Sequence, residues 1–232
     1  MKKNTIIILA DSPILNPTIV KPISNLSVSY TIYLNSLLFL NWMEILADLK
    51  EDFNIVSFLS AKDKEYIPKD FFLPQIQNLF YKQQNLKGLL DEILTQPFVA
   101  SSKILLIFHN TIGLKKSDIG RVFNLIQVEE TSVVIAKSKR DKIILTCSYE
   151  FDKELIDALQ ESGRDYTEYL NLISKKDIFI NTLEGFLSID DFEDIKKLYI
   201  ELSKKESLLY CSQKMHESFN DLFVEYKEQL NV

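Results

Sequence analysis

Short runs of consecutive apolar residues alternate along the chain with longer segments in which apolar residues recur at helical spacing. Six β-branched, apolar runs are typical of strands, and they cover residues 5–10, 54–60, 103–109, 131–136, 142–147 and 177–181. Alternation of such strands with helices favours a mostly parallel sheet that is covered on both faces. We therefore predict a three-layer α/β/α fold, which opens with strand 5–10 and has strand 103–109 near its centre.

Five segments carry the spacing of helices. Residues 28–49 are apolar nearly all round, which is typical of a well-buried helix, whereas 115–127 and 152–160 each have one apolar face. The strand pattern ends at Ser188, and helices are predicted over 190–202 and 207–229. We divide the chain into an α/β domain over residues 1–205 and an appended amphipathic helix over 206–232.

The last predicted helix carries one apolar stripe, whose members recur every three or four residues: Leu208, Cys211, Met215, Phe219, Leu222, Tyr226 and Leu230. A stripe of this kind must be covered by something. Packing on the parent domain is the commoner solution. The alternative is a symmetric homodimer in which this C-terminal helix meets its counterpart.

Charge and cysteine content narrow the classes of partner. The 27 basic and 33 acidic residues give a net charge of −6, which supplies no field for a phosphate backbone, so no nucleic acid partner is predicted. Cys147 and Cys211 lie far apart in the sequence, which disfavours a disulfide framework and fits a cytoplasmic protein. The first apolar run ends at Asp11, too early for a signal peptide. No uncharged run reaches the roughly 18 residues of a spanning helix, so no membrane partner is predicted.

Missing motifs exclude several enzyme classes. The chain has five glycines, where average usage would give roughly 16. It contains no P-loop, no Gly-x-Gly-x-x-Gly and no Gly-x-Ser-x-Gly, and His109 and His216 are its two histidines. These absences exclude P-loop NTPases, Rossmann dehydrogenases and serine hydrolases. The basic residues are mostly lysines, and the three arginines are Arg121, Arg140 and Arg164.

Ligands of open α/β sheets bind at the carboxyl ends of the strands, so the residues that follow each predicted strand are the candidates. The loop from Ala10 and Asp11 to Lys21 would offer backbone donors and one cation to phosphates. It contains no glycine, and Pro13 and Pro17 remove two backbone donors, which makes a tight phosphate cradle hard to build. An ordinary loop with an exposed lysine is the alternative.

Two later strand ends also carry polar groups. His109 ends the strand 103–109 and Asn110 follows it, and the two would bind a ligand or simply hydrogen-bond to a loop. Four acids follow Ser188 and would hold a divalent cation, namely Asp190, Asp191, Glu193 and Asp194. The alternative is that Ser188 caps the following helix and that the acids complement its dipole.

Taken in order, these segments resemble the glycosyltransferase-A (GT-A) superfamily, and in particular bacterial proteins related to the molybdenum-cofactor and phospholactate guanylyltransferases. Residues 6–13 with Lys21-Pro22 are similar to the family's opening strand, phosphate loop and lysine. Residues 105–114 are similar to its central strand, which ends in Ser-Asp-x-Pro-x-Leu, and residues 188–195 to its closing Asp-x-Asp-x-x-Glu-Asp-Leu. The resemblance covers roughly residues 5–203.

The resemblance implies a nucleotide or nucleotide sugar as ligand, bound near Ala10, Asp11, Lys21 and Asn110. It also implies Mg²⁺ or Mn²⁺ as a cofactor, bound through Asp190, which would neutralise the diphosphate that leaves an activated donor. No other cofactor and no catalytic residue is indicated.

The sequence departs from the family pattern where the chemistry is expected. Asn110 stands where the family has its central metal-binding aspartate, and Ser188 replaces the first acid of the closing motif. Residues 138–143 replace a glycine-rich segment. An asparagine keeps an acceptor oxygen but loses the charge that holds a divalent cation. Two interpretations follow: a transferase homologue with weak or lost activity that still binds a nucleotide, or a non-catalytic interaction module that retains only the fold.

Overall fold

An eight-stranded sheet forms the middle layer of the protein in a computed structural model, which describes residues 3–47, 49, 53–83, 85–128, 131–149 and 151–230. Across the sheet the strands lie in the order β3-β2-β1-β4-β7-β6-β8-β5. In chain order they are β1 (Lys3–Leu9), β2 (Phe53–Ser60), β3 (Ile76–Tyr81), β4 (Ser102–Phe108), β5 (Thr111–Ile112), β6 (Ser132–Ser138), β7 (Ile143–Ser148) and β8 (Phe179–Ser188).

Most of the pairings are parallel. β1 lies between β2 and β4, with Ile6 opposite Ile55 on one side and Leu105 on the other. β7 runs antiparallel between β4 and β6. Because β7 runs the opposite way, the hairpin turn between β6 and β7 lies at the edge where the parallel strands end. The predicted fold class is confirmed.

The described residues form eight α-helices around this sheet: α1 (Val28–Ala47), α2 (Leu86–Leu94), α3 (Lys116–Val128), α4 (Lys153–Glu161), α5 (Tyr166–Ile173), α6 (Phe192–Leu202), α7 (Gln213–Glu225) and α8 (Lys227–Leu230). Side chains of β1 alternate between two cores, since Ile6 and Ile8 pack with α1 and α3 while Ile7 and Leu9 pack with α2, α4 and α5. All four side chains are fully buried, which is why the strand is an unbroken apolar run.

A third core joins the C-terminal helices to the rest of the chain. The predicted stripe packs there with α1 and α6, and Phe219 and Leu222 are fully buried. Leu208 is the exception, at 52% exposure. Packing on the parent domain, one of the two predicted solutions, is therefore observed. Association of two copies stays a prediction.

The single predicted helix over 207–229 is wrong. A 3₁₀ turn (Lys205–Leu209) comes first, and α7 begins after it at Gln213. Ser212 is the N-cap of α7, and its hydroxyl accepts a hydrogen bond from the N–H of Met215 at 3.2 Å. The proposed cap at Ser188 is also wrong. Ser188 ends β8, which is longer than predicted, and Asp191 caps α6 by accepting from the N–H of Asp194 at 3.0 Å.

Six predicted strands are confirmed, whereas β3, β5, α2 and α5 were not predicted. Both cysteines are free and buried, with Cys147 in β7 and Cys211 between the 3₁₀ turn and α7. Burial raises the pKa of Cys147 and raises that of Cys211 to about 12. Among the described residues, no helix has both the length and the apolar character needed to cross a membrane.

Candidate functional site

A cavity of about 450 Å³ lies where β1, β4 and β8 end. Four of the five residues predicted to bind a nucleotide or metal line it, namely Asp11, Lys21, Asn110 and Asp190. Ala10 does not line it. It is fully buried, its N–H donates to the carbonyl of Phe58 at 3.1 Å, and its own carbonyl accepts from the Tyr81 hydroxyl at 2.7 Å.

The loop after β1 is held by a carboxylate from inside the protein. Asp63, fully buried in the 3₁₀ turn that follows β2, accepts hydrogen bonds from the backbone N–H groups of Ile14, Leu15 and Asn16, each at 2.9 Å. Burial raises the pKa of Asp63, and the three N–H donors oppose that rise. An anion therefore already occupies the donors that a phosphate would use at this loop.

A buried arginine pairs with Asp11. Arg164 is 3% exposed, its Nη1 donates to Asp11 Oδ2 at 2.9 Å, and its Nε donates to the carbonyl of Ile143 at 3.0 Å. Its guanidinium carbon stacks 3.5 Å from the centroid of the Phe108 ring. The Nη2 atom is buried and has no hydrogen-bond partner within the described part of the chain. Arg164 lines the cavity, so a buried cationic donor is present in its wall.

The backbone of Arg164 is itself unusual. Its φ of +76° lies in the left-handed region, directly after Gly163 at +57°. A non-glycine residue with a positive φ costs free energy, and such residues are concentrated at functional sites. These two left-handed residues form the turn between α4 and α5, from which the Arg164 side chain reaches Asp11 and Phe108.

Asp190 is surrounded by donors. Lys142 Nζ lies 2.7 Å from Asp190 Oδ1, Asn110 Nδ2 lies 3.0 Å from the same oxygen, and the Ser188 hydroxyl donates to Oδ2 at 2.8 Å. Asn110 Nδ2 also donates to the carbonyl of Ile189 at 3.4 Å, and this set of acceptors fixes its amide orientation. Burial alone would raise the pKa of Asp190, but Lys142 and Ser188 outweigh it, so the pKa is lowered.

Beside this cluster, the β6–β7 turn is tied to the start of α6. Arg140 makes a bidentate ion pair with Asp191, and its Nε lies 3.1 Å from Asp194 Oδ1. The Arg140 hydrogen bond, against the opposing effect of burial, lowers the pKa of Asp191. Asp191 and Asp194 thus serve the helix cap and the turn, whereas Asp190 faces the cavity.

His109 lines the cavity as a neutral group. It is 4% exposed, and burial lowers its pKa to about 4, with Arg164 adding to that effect. The backbone N–H of His109 donates to the carbonyl of Leu9 at 2.9 Å, which fixes the end of β4 against β1. The imidazole is therefore uncharged at neutral pH.

The cavity wall carries more cations than acids, although the whole chain is acidic. Lys21 and Lys62 are exposed at the cavity, and neither ammonium has a partner within the described ranges. Among the described residues that line the cavity, they make with Arg164 three cationic side chains against the two carboxylates of Asp11 and Asp190. A local excess of positive charge favours an anionic ligand.

The donor set does not fit a resident divalent cation. Within the described residues, no group of three or more His, Cys, Asp or Glu side chains is placed to hold a metal. Both oxygens of Asp190 already accept hydrogen bonds, and Asn110 presents its amide nitrogen to that carboxylate rather than its oxygen. Mg²⁺ and its analogues prefer several free carboxylate or carbonyl oxygens.

Sequence reasoning missed Asp63, Lys142 and Arg164 as parts of the site. Asp63 lies in a segment with no motif, and Lys142 lies in residues 138–143, which were noted only as the replacement of a glycine-rich segment. Each meets its partner only after the sheet has formed. Arginine is scarce in this lysine-rich chain, and two of its three arginines form ion pairs here. That scarcity was a usable signal, because arginine suits buried ion pairs better than lysine does.

Comparison with solved structures shows the fold of nucleotide-diphospho-sugar transferases and cytidylyltransferases. A protein of Desulfovibrio desulfuricans G20 assigned to the nucleotide-diphospho-sugar transferases is 13% identical, with a TM-score of 0.73, over 100% of this chain and 98% of that chain. A 4-diphosphocytidyl-2C-methyl-D-erythritol synthase of Anaerococcus prevotii DSM 20548 is 15% identical, with a TM-score of 0.53, over 87% and 97%.

A cytidylyltransferase of Leptospira borgpetersenii serovar Hardjo-bovis is also 15% identical, with a TM-score of 0.51, over 99% of this chain and 95% of that chain. No family model and no curated protein matches the sequence. At these identities the likeness shows the shared fold alone.

Proposed function

We propose that the cavity at the strand ends binds a nucleotide or a nucleotide sugar, and that the chain is a transferase homologue whose activity is weak or lost. The observation that carries this proposal is Arg164, a buried guanidinium in the cavity wall with one donor atom unpartnered in the described chain. Burying an unpaired donor costs free energy unless a ligand satisfies it. An anionic group of the ligand would do so.

The two exposed ammonium groups at the cavity support the idea that the phosphates of the ligand lie at its mouth. Lys21 and Lys62 come from different segments, the loop after β1 and the turn after β2, and both line the same cavity. Each would attract the phosphates as a point charge. The fold shared with nucleotide-diphospho-sugar transferases supports the same ligand class.

Two features favour weak or lost transfer. The backbone donors of residues 14–16 are occupied by Asp63, so they are not free to stabilise charge that develops on a phosphate. The second is Asn110, just after β4, which stands where the family resemblance implies a carboxylate. The same two features favour the second candidate function, a non-catalytic interaction module that keeps only the fold.

A ligand screen tests the proposal. Nucleoside diphosphates and nucleotide sugars of all common bases are added to the full chain, and thermal unfolding is recorded. A ligand at 100 times its Kd stabilises by about 2.7 kcal/mol, which raises the Tm by roughly 5–11 °C for a chain of this size. Calorimetry then gives the Kd of the best ligand.

Matched variants make the test specific to the cavity. Arg164→Met should remove the shift, whereas Arg121→Met, an exposed arginine on α3, should retain it. Because Arg164→Met removes a buried ion pair and is itself destabilising, the double variant K21M/K62M is measured as well. Both lysines are exposed, so this variant should fold normally and bind about tenfold more weakly. If no member of the panel shifts the Tm at millimolar concentration, the interaction module is supported instead.

A further inference from the structure

We propose that this protein binds the phosphates of its ligand without a divalent cation, because the Lys142 ammonium occupies the position beside Asp190 that such a cation needs. The inference rests on the proposed function, since it concerns the same cavity. It assigns to Lys142, which pairs with the cavity-lining Asp190, the counter-charge that a metal bound to this carboxylate would supply.

The geometry around Asp190 leaves a cation little room. A divalent ion bound to Asp190 Oδ1 would lie about 2.0–2.6 Å from that oxygen. The ammonium of Lys142 is already 2.7 Å from it, and the Asn110 amide nitrogen is 3.0 Å away on the same atom. Metal binding at this oxygen would therefore bring two positive charges close together and would break at least one hydrogen bond.

Lys142 is held in position by its backbone. Its N–H donates to the Ser138 hydroxyl at 3.3 Å, and its carbonyl accepts from the N–H of Ser138 at 2.9 Å, which closes the β6–β7 turn. The preceding Asp141 has a φ of +53°, as a tight turn requires. The lysine side chain therefore starts from a fixed point at the carboxyl edge of the sheet.

The Arg164 turn is joined to the Lys142 turn. Lys142 forms a β-bridge with Asp165, and the N–H of Ile143 donates to the Arg164 carbonyl at 2.7 Å. The two cations thus come from turns that hold each other, and each pairs with a different acid, Asp190 or Asp11. Two fixed single charges are present at this edge of the sheet, equal in sum to one divalent ion.

Asn110 fits this arrangement better than aspartate would. A carboxylate at position 110 would lie against Asp190, and two like charges would then need a stronger counter-charge than one lysine. The amide instead donates to Asp190 and leaves its own Oδ1 buried without a partner in the described chain. A lysine at 142 and an asparagine at 110 therefore work together as a metal-free version of the cluster.

A titration with Mn²⁺ alone tests the inference without any nucleotide. Electron paramagnetic resonance measures the concentration of free Mn²⁺ in the presence of the native chain, of N110D/K142A or of K176A. Lys176 is a matched control, since it is also a partly exposed lysine in an ion pair, with Asp152 and Glu154, outside the cavity. We expect no Mn²⁺ binding below millimolar concentration for the native chain and K176A, and at least about tenfold tighter binding by the double variant.

Micromolar binding of Mn²⁺ by the native chain would overturn the inference. Failure of the folded N110D/K142A variant to bind Mn²⁺ would also overturn it, because Lys142 would then not be the group that excludes the metal. Circular dichroism establishes that each variant is folded. None of these outcomes depends on whether a nucleotide binds.

A second arm uses the best nucleoside diphosphate from the ligand screen. Its Kd should agree within about threefold in EDTA and in millimolar Mn²⁺. K142M should weaken binding about tenfold in EDTA, because Asp190 in the cavity wall would then lack its counter-charge and repel the phosphates, while K176M leaves the Kd unchanged. A loss of more than tenfold on adding EDTA to the native chain overturns the inference. Failure of every nucleotide to bind refutes the proposed function instead, and the Mn²⁺ titration still decides the role of Lys142.

Discussion

The Asp63 carboxylate should be one of the strongest local determinants of stability at this edge of the sheet. Asp63→Ala removes the acceptor for three backbone N–H groups, those of Ile14, Leu15 and Asn16. A buried donor left without a partner costs about 1–3 kcal/mol. Since water can reach part of the loop, we expect a loss of about 3–6 kcal/mol in the free energy of unfolding.

The variant Asp63→Asn should lose less free energy of unfolding than Asp63→Ala, because an amide can keep part of the hydrogen bonding. Oδ1 accepts from Leu15 and Asn16, and Oδ2 accepts from Ile14. An amide oxygen in place of Oδ1 would keep two hydrogen bonds, whereas the amide nitrogen would face the N–H of Ile14, donor against donor. The expected loss is about 2 kcal/mol.

Urea unfolding followed by tryptophan fluorescence measures both variants. Trp42 is the single tryptophan, is fully buried in α1, and donates from Nε1 to the Thr111 carbonyl at 3.0 Å. Asp118→Ala is the matched control, because Asp118 accepts one backbone N–H, that of Lys115, at 2.9 Å. It should cost about 1 kcal/mol.

The reasoning is refuted if Asp63→Ala costs no more than Asp118→Ala. A second readout follows from the same geometry, since the freed N–H groups at residues 14–16 form an anion site. Phosphate should therefore stabilise Asp63→Ala more than it stabilises the native chain. Equal stabilisation of the two would mean that the loop collapses once the carboxylate is gone.

Two further predictions concern His109 and the third core. Burial holds the pKa of His109 at about 4, below its unfolded value of 6.5, so its contribution to stability is present above pH 6.5 and is lost as pH falls towards 4. Between pH 7 and pH 5, the free energy of unfolding should fall by about 2 kcal/mol more in the native chain than in His109→Asn. An equal pH dependence of the two proteins would contradict this. Phe219→Ala in α7 should cost about 3–5 kcal/mol in urea unfolding. Val224→Ala on the same helix, 68% exposed, should stay within about 0.5 kcal/mol; similar losses in both variants would contradict the buried position of Phe219.

The sheet and its strand ends were predictable because they depend on local pattern. Residues 6–9 are apolar without a break, and that pattern identifies a strand covered on both faces. The scarcity of glycine and the prolines at 13 and 17 indicated a poor phosphate cradle. In the structure the backbone N–H groups of residues 14–16 donate to Asp63, so these donors are not free to bind a phosphate either.

The ion pairs of the site were not predictable in the same way, because they depend on strand order. Arg164 lies 153 residues from Asp11, and Lys142 lies 48 residues from Asp190. Both contacts exist because β7 enters the sheet antiparallel between β4 and β6, which brings its first residues to the carboxyl edge. Nothing in the local sequence specifies that order. The Ser188 cap failed for a related reason, since pairing with β6 and β5 extends β8 to that residue.

The two buried cysteines make the unfolding of different layers separately observable. Cys147 belongs to the central sheet and Cys211 to the third core beside α7, and each thiol is shielded and has a raised pKa. A thiol of this kind reacts with an alkylating reagent only when its surroundings open. Pulsed alkylation followed by peptide mass analysis would therefore time two events in one sample. Earlier modification of Cys211 than of Cys147 would mean that the C-terminal helices detach as a separate cooperative unit while the sheet stays closed.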